Sequence, residues 1–443
     1  MHEKRLKKLK ETKEENKMLK DKRGITLIAL VVTIVVLLIL AGVSISLILD
    51  NNGIIQRSKD ARKQYGEAQA NEQADLESIS SWIEDQVNGN TENPKPIKVK
   101  EGEKATSNGT INGEEGDSNN PTIPEGYIPI KTDTSSWGDG NSVPSRDSVD
   151  HGLVIKDDSD NEWVWIPVPD VTVMCNTANT TEYTLYGTEG KTAVTTKLYS
   201  KTITIGKGDS TKTMTRIAPG TGDDFREPDL VICNRDYYDA EQIHYQEILG
   251  FENKEEMAKT FVVDYGEMIE SIKKYGGFYI GRYELSEEGV QKDKSPLYGS
   301  WYYMYDVCRD DKLKASNKVK TQMIWGCQWD VTMNWLISSG AKTSDEVNND
   351  SSSWGNYKDT SVKADDGTKE IKESGTTLLL NTGVTTFTMA NNIYDLAGNC
   401  GEWTQEGYGF EFRAIRSGSS ASSSEMGQLT HSATGSRPTL IIK

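Results

Sequence analysis

The stretch "NNIYDLAGNCGEWT" at residues 391–404 decides how this chain is interpreted. It places Asp395, Glu402 and Trp403 within a few residues of two glycines and several amides. One interpretation is a metal-binding loop, because carboxylates and backbone carbonyls supply hard oxygen ligands and glycine tolerates the positive φ angles that turn carbonyls inward. The alternative is a hydrogen-bonded corner, in which Asp395 binds nearby backbone amides and Trp403 packs in the core. In both interpretations the loop is architectural, and its carboxylates are not a catalytic pair.

The charge of the chain limits its partners. The 443 residues, enough for two or three domains, carry a formal net charge of −17. Residues 1–23 contain ten Lys/Arg and five Asp/Glu, so their net charge is +5. Subtracting this +5 from the total of −17 leaves a net charge of −22 for the remaining residues. Phosphate contacts need clustered Lys and Arg, so we expect no nucleic-acid partner.

The five cysteines form no C-x-x-C motif and show no zinc-finger spacing. Because their number is odd, at least one is unpaired. Cys308 and Cys327 either form a disulfide or stay free, since sequence alone does not fix connectivity.

Residues 25–49, "ITLIALVVTIVVLLILAGVSISLIL", contain no charged residue. As a helix they span roughly 37 Å, which exceeds the bilayer core of about 30 Å. A buried core helix rarely runs so long without a polar stripe, and the apolar region of a cleaved signal peptide is shorter. We therefore expect a single transmembrane helix with the basic leader, residues 1–24, in the cytoplasm and the C-terminal part outside.

The helical pattern continues as an amphipathic one to about residue 87. The segment around "KDKRGITLIALVV", over about residues 20–85, resembles the N-terminal helix of type IV pilins and pseudopilins. That resemblance implies cleavage after Gly24, with Ile25 as the new N-terminus; the alternative is an uncleaved signal anchor. Family members usually carry Glu at the fifth mature position, where this chain has Ala29. The departure weakens the expectation of filament assembly but not of membrane insertion.

Composition changes twice in the rest of the chain. Residues 88–124 are rich in Asn, Gly, Glu, Lys and Pro and contain no aromatic residue, which predicts a flexible linker. Nine of the ten tryptophans follow Pro124, so we expect the packed domain over residues 125–443.

The periodicity within that domain indicates a mixed α+β fold. Residues 161–168 and 276–286 are predicted as strands, and 201–217 as a hairpin. Apolar residues at helical spacing, followed by glycine, predict helices over 254–277 and 328–340.

Five segments carry a resemblance to a known family: "GGFYIGRYELS", "QWDVTMNWLISSG", "NNIYDLAGNCGEWT", "FRAIRSGS" and "GSRPTLIIK". In that order they resemble the formylglycine-generating-enzyme (sulfatase-modifying factor) domain, a variant of the C-type lectin fold. The resemblance covers about residues 125–443 and implies an α+β, C-type lectin-like domain. This fold hosts protein-cysteine oxidation, iron-dependent sulfoxide chemistry and pure ligand binding, so the fold alone does not select the function.

The residues expected of the family's enzymes are missing from the sequence. Its copper oxidases use a cysteine pair after the "R-x-G-S" strand, whereas residues 404–443 contain no cysteine. Its iron-dependent members use two closely spaced histidines, whereas the four histidines of this chain are far apart. No nucleophile-elbow motif is present. We therefore predict that the chain is not an enzyme, with a formylglycine-type oxidase as the alternative.

The resemblance also implies a structural calcium ion, because the segment matching 395–402 wraps calcium in family members. The implied ligands are the side chains of Asp395 and Glu402 and the carbonyls of Gly398 and Cys400. The hydrogen-bonded corner described above stays open as the alternative.

Ligand binding is predicted in the segment 412–443. In ligand-binding relatives the matching region is exposed, and in some it is diversified by retroelements. An ordinary polar loop is the alternative, and Arg416 and Arg437 are expected to hold the frame. The predicted surface contacts are Ser419, Ser422, Ser424, Met426, Gln428 and His431.

Two other stretches are weaker candidates for ligand contacts. "YGSWYYMY" (298–305) either stacks on a ligand or belongs to the core. "REPD" (226–229) resembles the sugar-binding motif of true C-type lectins.

The sequence therefore predicts a membrane-anchored, outward-facing adhesin or receptor-like protein that binds an extracellular protein or glycan. The alternatives are the oxidase and a structural minor pilin with pilus assembly partners. The expected location is the cell membrane or a surface filament.

Overall fold

The computed structural model describes part of the chain with side chains and several strands by their backbone only. Side chains are described over 96–132, 149–174, 227–228, 249–252, 256–367, 369–407, 413–416 and 434–443. Backbone alone is also described at 179–187, 190–205, 212–218, 225–226, 254–255, 408, 412 and 424–428. The predicted leader and membrane helix, with Gly24 and Ile25, lie outside the described residues. No helix within the described ranges is long and apolar enough to cross a membrane.

A six-stranded antiparallel sheet holds the core together. Its order is β12-β21-β11-β6-β5-β4. The strands are β4 (Ile128–Ile130), β5 (Val154–Lys156), β6 (Glu162–Pro167), β11 (Gly277–Gly281), β12 (Val319–Met323) and β21 (Pro438–Ile442). Strand β21, at the end of the chain, lies between β11 and β12, so the last residues are part of the core.

Both faces of this sheet are buried. Along β6, Trp163 and Trp165 join one apolar cluster, and Val164 and Ile166 join the other. Side chains alternate between the two faces of a strand, so one strand supplies both clusters. The predicted strand at 161–168 is confirmed.

A second, eight-stranded sheet carries the predicted ligand segment. Its order is β19-β18-β17-β10-β9-β8-β7, and β20 pairs with β17. The predicted hairpin at 201–217 is confirmed, because β8 and β9 pair antiparallel. The strands are β7 (Asn179–Gly187), β8 (Gly190–Ile205), β9 (Lys212–Ala218), β10 (Phe225–Arg226), β17 (Glu402–Tyr408), β18 (Phe412–Arg416), β19 (Ser424–Gln428) and β20 (Gly435–Ser436).

Four α-helices lie within the described ranges, which makes the unit mixed α+β with more sheet than helix. They are α1 (Lys254–Tyr275), α2 (Trp301–Val307), α3 (Gly326–Ser338) and α4 (Ser344–Asn348). Helices α1 and α3 confirm the two helix predictions. The apolar residues that defined their predicted faces are buried: Phe261, Tyr265, Met268, Ile269, Ile272, Trp329, Met333 and Leu336.

The linker prediction for residues 88–124 is wrong from residue 96 onward. A small sheet forms there from β1 (Ile97–Lys98), β2 (Gly109–Thr110) and β3 (Thr122–Ile123). Val99 and Ile111 are buried in the main core, and the hydroxyl of Tyr279 donates to the Thr122 carbonyl at 2.9 Å. The segment lacks aromatic residues of its own, but it packs on those of the body. Pro94–Lys443 accordingly forms one compact unit, which begins earlier than predicted.

The interpretation that Cys308 and Cys327 form a disulfide is also wrong. Cys308, Cys327 and Cys400 are buried, and none of these three thiols forms a disulfide. Cys308 and Cys327 belong to different apolar clusters, where each packs as a small apolar side chain.

Candidate functional site

The loop 391–404 turns sharply because a run of its residues adopts left-handed backbone angles. After the hairpin of β15 (Met389–Ala390) and β16 (Ile393–Tyr394), Asp395 has a φ of 61° and Asn399 a φ of 60°. Asp and Asn tolerate this region better than most residues, because their short polar side chains bond locally. The amide-rich composition is therefore explained by the turn.

Gly398 permits a close approach by another part of the chain. Its φ is 76°, and a Cβ at this position would clash with the carbonyl oxygen of Asn356. That carbonyl accepts from the Asn399 amide at 2.9 Å, and the Asn356 amide donates to the Ala397 carbonyl at 3.0 Å. The stretch 351–375, which contains β13 (Val362–Lys363) and β14 (Glu370–Lys372), thus supports the loop.

Arg437 ties the loop to the central sheet. Its guanidinium is fully buried and bonds Glu402 Oε1 at 3.0 Å through Nε. Its other two nitrogens donate to the carbonyls of Gly281 at 2.9 Å and Tyr394 at 2.8 Å. The prediction that Arg437 holds the frame is confirmed, since one side chain joins the loop to β11, β16 and β17.

Two further carboxylates lie buried in the same loop region. Asp395 accepts from the Thr388 hydroxyl at 2.6 Å and from the Gly383 amide at 2.8 Å. Glu284 accepts from the Cys400 amide at 3.0 Å and from the Asn399 side-chain amide at 2.6 Å. Glu284 had no sequence signal beyond its place in "GRYELS". We call Glu284, Asp395, Glu402 and Arg437 the frame cluster.

The frame cluster contains three carboxyl groups and one guanidinium, and the pKa values of all three carboxyl groups are raised. Burial raises the pKa of Glu402 to about 7, and the attraction of Arg437 opposes this rise. Burial also raises the pKa of Glu284 well above its ordinary value, and the charges of Asp395 and Glu402 raise it further. The pKa of Asp395 is raised by burial too. Protonation therefore offsets part of the excess negative charge.

The predicted calcium ligands fit a calcium ion poorly. Both oxygens of Asp395 accept hydrogen bonds from the protein, and Glu402 bonds the guanidinium of Arg437 instead of facing an open cavity. Within the described ranges, no group of three or more His, Cys, Asp or Glu side chains is placed to hold a metal. One observation favours a cation at this position: the Oε2 atom of Glu402 is buried without a hydrogen-bond partner. The other contacts favour the hydrogen-bonded corner over the calcium site, and adding calcium to the protein tests the two interpretations.

A second buried ion pair fixes the eight-stranded sheet. Arg416 bonds Glu406 Oε2 at 2.7 Å and lies 3.3 Å from Asp330 of α3. The prediction that Arg416 holds the frame is confirmed.

The weak sugar motif "REPD" has a structural explanation. Glu227 is fully buried, and its two oxygens accept from the backbone amides of Gly326 and Cys327. A carboxylate at a helix N-terminus satisfies amides that have no partner within the helix. Glu227 therefore serves α3.

The predicted ligand residues are only partly described. Ser424, Met426 and Gln428 are alternate residues of β19, which pairs antiparallel with β18 at the end of the described sheet. Their register partners are Arg416, Ala414 and Phe412. Ser419, Ser422 and His431 lie outside the described residues. The assignment of these six residues as surface contacts stays a prediction.

The aromatic stretch 298–305 divides between core and surface. Helix α2 buries Trp301, Tyr302, Met304 and Tyr305, but Tyr298 is 52% exposed and Tyr303 is 40% exposed. The sequence analysis did not predict that these two tyrosines are exposed while their neighbours are buried. For Tyr303, the helical spacing of the residues within 301–305 could have indicated an exposed position.

The structure also joins this stretch to the ligand segment. The Gly299 amide donates to the Thr434 carbonyl at 3.0 Å, and the Gly299 carbonyl accepts from the indole of Trp403 at 3.0 Å. Thr434 belongs to the predicted ligand segment 412–443 and lies three residues after His431. Two candidates that are more than a hundred residues apart in sequence therefore meet beside the loop 391–404.

Comparisons with models of protein families, with curated proteins and with solved structures found no match to this chain. The functional argument therefore depends on the geometry of these sites.

Proposed function

We propose that the chain is a membrane-anchored, outward-facing ligand-binding protein whose C-terminal unit is a C-type lectin-like domain of the formylglycine-generating-enzyme type. Its ligand contacts are the residues predicted in the segment 412–443, together with the exposed tyrosines Tyr298 and Tyr303. The membrane helix at 25–49 tethers it.

One observation carries this proposal: the polar groups of the loop 391–404 are engaged inside the protein, whereas the neighbouring tyrosines are exposed. The carboxylates of the frame cluster bond backbone amides, Thr388, the Asn399 side chain or Arg437. Tyr298 and Tyr303, beside Thr434, remain in contact with solvent. A buried polar frame with exposed aromatic side chains nearby fits a binding domain, in which a rigid scaffold positions the residues that contact a ligand.

The lectin-type interpretation is supported by how the five quoted segments meet. Arg437 of "GSRPTLIIK" bonds Gly281 of "GGFYIGRYELS" and Glu402 of "NNIYDLAGNCGEWT". Arg416 of "FRAIRSGS" lies 3.3 Å from Asp330 of "QWDVTMNWLISSG". Segments from distant parts of the chain thus form one polar framework, as expected if their ordered occurrence reflects one fold.

The test is a binding screen with the full-length chain in lipid nanodiscs against immobilised glycans and extracellular proteins. We expect saturable binding to at least one member of either class. The absence of any binding, together with stoichiometric copper or iron in the purified protein, would instead favour the oxidase. Recovery of the chain in sheared surface filaments would favour the minor pilin.

A further inference from the structure

We propose that a basic patch on the C-terminal unit docks on the anionic phospholipid headgroups of the membrane that anchors the chain. The basic patch consists of five lysines: Lys274, Lys314, Lys318, Lys320 and Lys443. This inference rests on the membrane anchor of the proposed function, and it adds which side of the C-terminal unit contacts the lipid surface. It is independent of the calcium prediction and of the predicted ligand contacts.

Three elements bring the basic patch together: the last turn of α1, the loop that leads into β12, and the end of β21. The Lys443 amide donates to the Lys318 carbonyl at 2.9 Å. The hydroxyl of Tyr275 donates to the Lys443 carbonyl at 2.9 Å. The ammonium of Lys274 lies 4.7 Å from the centroid of the Tyr275 ring. Lysines from distant parts of the sequence therefore meet around one tyrosine.

Positive charge accumulates at this junction. Lys274, Lys318 and Lys443 are exposed. In the part of the chain that the structure describes, no carboxylate forms an ion pair with any of these three ammonium groups. Partial burial lowers the pKa of Lys443, and repulsion from the charges of Lys314 and Lys320 lowers it further. All five lysines are thus close enough to act on one anionic surface.

The nearest carboxylates are already engaged by the other two lysines of the patch. Lys314 pairs with Asp311 at 2.5 Å. Lys320 pairs with Asp264 at 2.5 Å and with Glu267 at 2.6 Å. These pairs hold the edge of the patch in place, and the charges of the three exposed lysines remain for an external partner.

The first described segment of the unit, residues 96–132, flanks the basic patch on two sides. The Ala315 amide, next to the patch residue at 314, donates to the Tyr127 hydroxyl at 3.1 Å. A Cβ on Gly276, just after the end of α1, would lie 2.3 Å from the amide nitrogen of Ser118. The patch therefore lies beside the segment in which the chain enters the unit.

The tether and the range of the charges favour the membrane as the partner. Residues 50–95 separate the predicted membrane helix from the unit, so the lipid surface is present at a high effective concentration, unlike a soluble polyanion. Each lysine near an anionic membrane strengthens binding by about fivefold. The charge of −22 after residue 23 opposes docking, but at physiological ionic strength it is screened beyond about 8 Å. Lysines in contact with headgroups therefore outweigh more distant carboxylates.

The experiment maps lysine acetylation on the full-length chain in nanodiscs of phosphatidylcholine alone or with an equal amount of phosphatidylglycerol. Mass spectrometry gives the acetylation rate of each lysine with a membrane-impermeant reagent. We expect Lys274, Lys318 and Lys443 to react about threefold or more slowly in the discs with phosphatidylglycerol. Salt at about 0.5 M should remove the difference, because it screens the attraction.

Exposed lysines outside the patch provide the reference. Lys292, Lys358 and Lys363 are exposed, and their acetylation rates should be the same in both kinds of disc. A reference that slows equally would show a general effect of the anionic lipid on the reagent, and it would overturn docking through the patch.

Two charge-reversal variants test the patch directly. The patch variant is Lys274→Glu/Lys318→Glu/Lys443→Glu, and the matched variant with the same change in net charge is Lys292→Glu/Lys358→Glu/Lys363→Glu. Lys314 remains in both as the reporter, and its protection by phosphatidylglycerol should be lost only in the patch variant. Both variants should keep the unfolding midpoint of wild type, because the changed side chains are exposed.

The outcomes separate this inference from the proposed function. Equal acetylation of the patch in both lipids, or protection that persists in the patch variant, would overturn docking but leave an anchored protein. Protection by added inorganic polyphosphate, without protection by phosphatidylglycerol, would replace the membrane with a soluble polyanion. Failure of the chain to insert into nanodiscs would overturn the anchor and, with it, both proposals.

Discussion

The frame cluster and the two exposed tyrosines, Tyr298 and Tyr303, use polar and aromatic residues in opposite ways. Arg437 and Glu402 are almost completely buried and bond each other and the backbone, whereas Tyr298 and Tyr303 are largely exposed. The motif that most resembles a site in the sequence is thus a structural element, and the candidate contact surface lies in an inconspicuous stretch beside it.

The largest effect should come from removing the cation of the frame cluster. Arg437→Met leaves buried carboxyl groups without their guanidinium, so we expect the free energy of unfolding to fall by about 3–5 kcal/mol. Urea denaturation measures this change. As a control, Lys294→Met removes a partly exposed partner of Glu288 at 3.6 Å and should change stability by at most about 1 kcal/mol. Equal effects of the two variants would remove the distinction between frame and surface.

A smaller loss should follow when the loop cannot approach Asn356. Gly398→Ala adds a Cβ at positive φ and against a backbone carbonyl, which should destabilise by about 2–4 kcal/mol. Gly340→Ala is the matched control, because Gly340 has a φ of 77° but no heavy atom within 4 Å of the added Cβ. The Gly340→Ala variant should lose only the stability that a positive φ costs an alanine, about 1–2 kcal/mol. If both variants lose the same amount, the close contact at Gly398 contributes nothing.

The frame cluster should also make stability depend on pH. The pKa of Glu402 is raised from its ordinary value of 4.5 to about 7 in the folded protein. Its contribution to the free energy of unfolding is therefore fully present below the unfolded pKa of 4.5. It is lost as the pH rises through 7, by up to about 3 kcal/mol. Glu402→Gln preserves the shape and removes the titration, so its stability should fall less between pH 5 and pH 8, a window of about three units around the folded pKa. Chemical denaturation across this range measures the slope, and identical slopes in both proteins would contradict the assignment.

The smallest effect is expected from calcium. Since Arg437 and backbone donors already bond the predicted ligands, adding calcium or a chelator should leave the unfolding midpoint of the full-length chain unchanged. Binding at a hundredfold excess over Kd would stabilise by about 2.7 kcal/mol, which a thermal scan detects readily. A shift of that size, abolished in Asp395→Ala/Glu402→Ala, would restore the calcium site and make the loop a ligand-binding region in its own right.

Regular elements were predictable where one pattern dominated the sequence. The alternation of "NEWVWIPV" gave β6, and the 3.6-residue spacing at Phe261, Tyr265 and Met268 gave α1. The segment 96–124 was missed because its core contacts are with residues far along the chain: Ser118, for example, accepts from the indole of Trp165 at 3.1 Å. Local composition does not reveal burial that a distant partner provides.

The sequence by itself determined the mixed α+β class, the acidic body and the frame roles of Arg416 and Arg437. Only the tertiary structure decided that Glu284 joins the frame cluster, that Glu227 caps α3, and that Gly299 pairs with Thr434. The physical reason is distance along the chain. Periodicity records which face of an element is buried, whereas the partner of a buried charge or an exposed ring is set by how the sheets pack and by which strands end side by side.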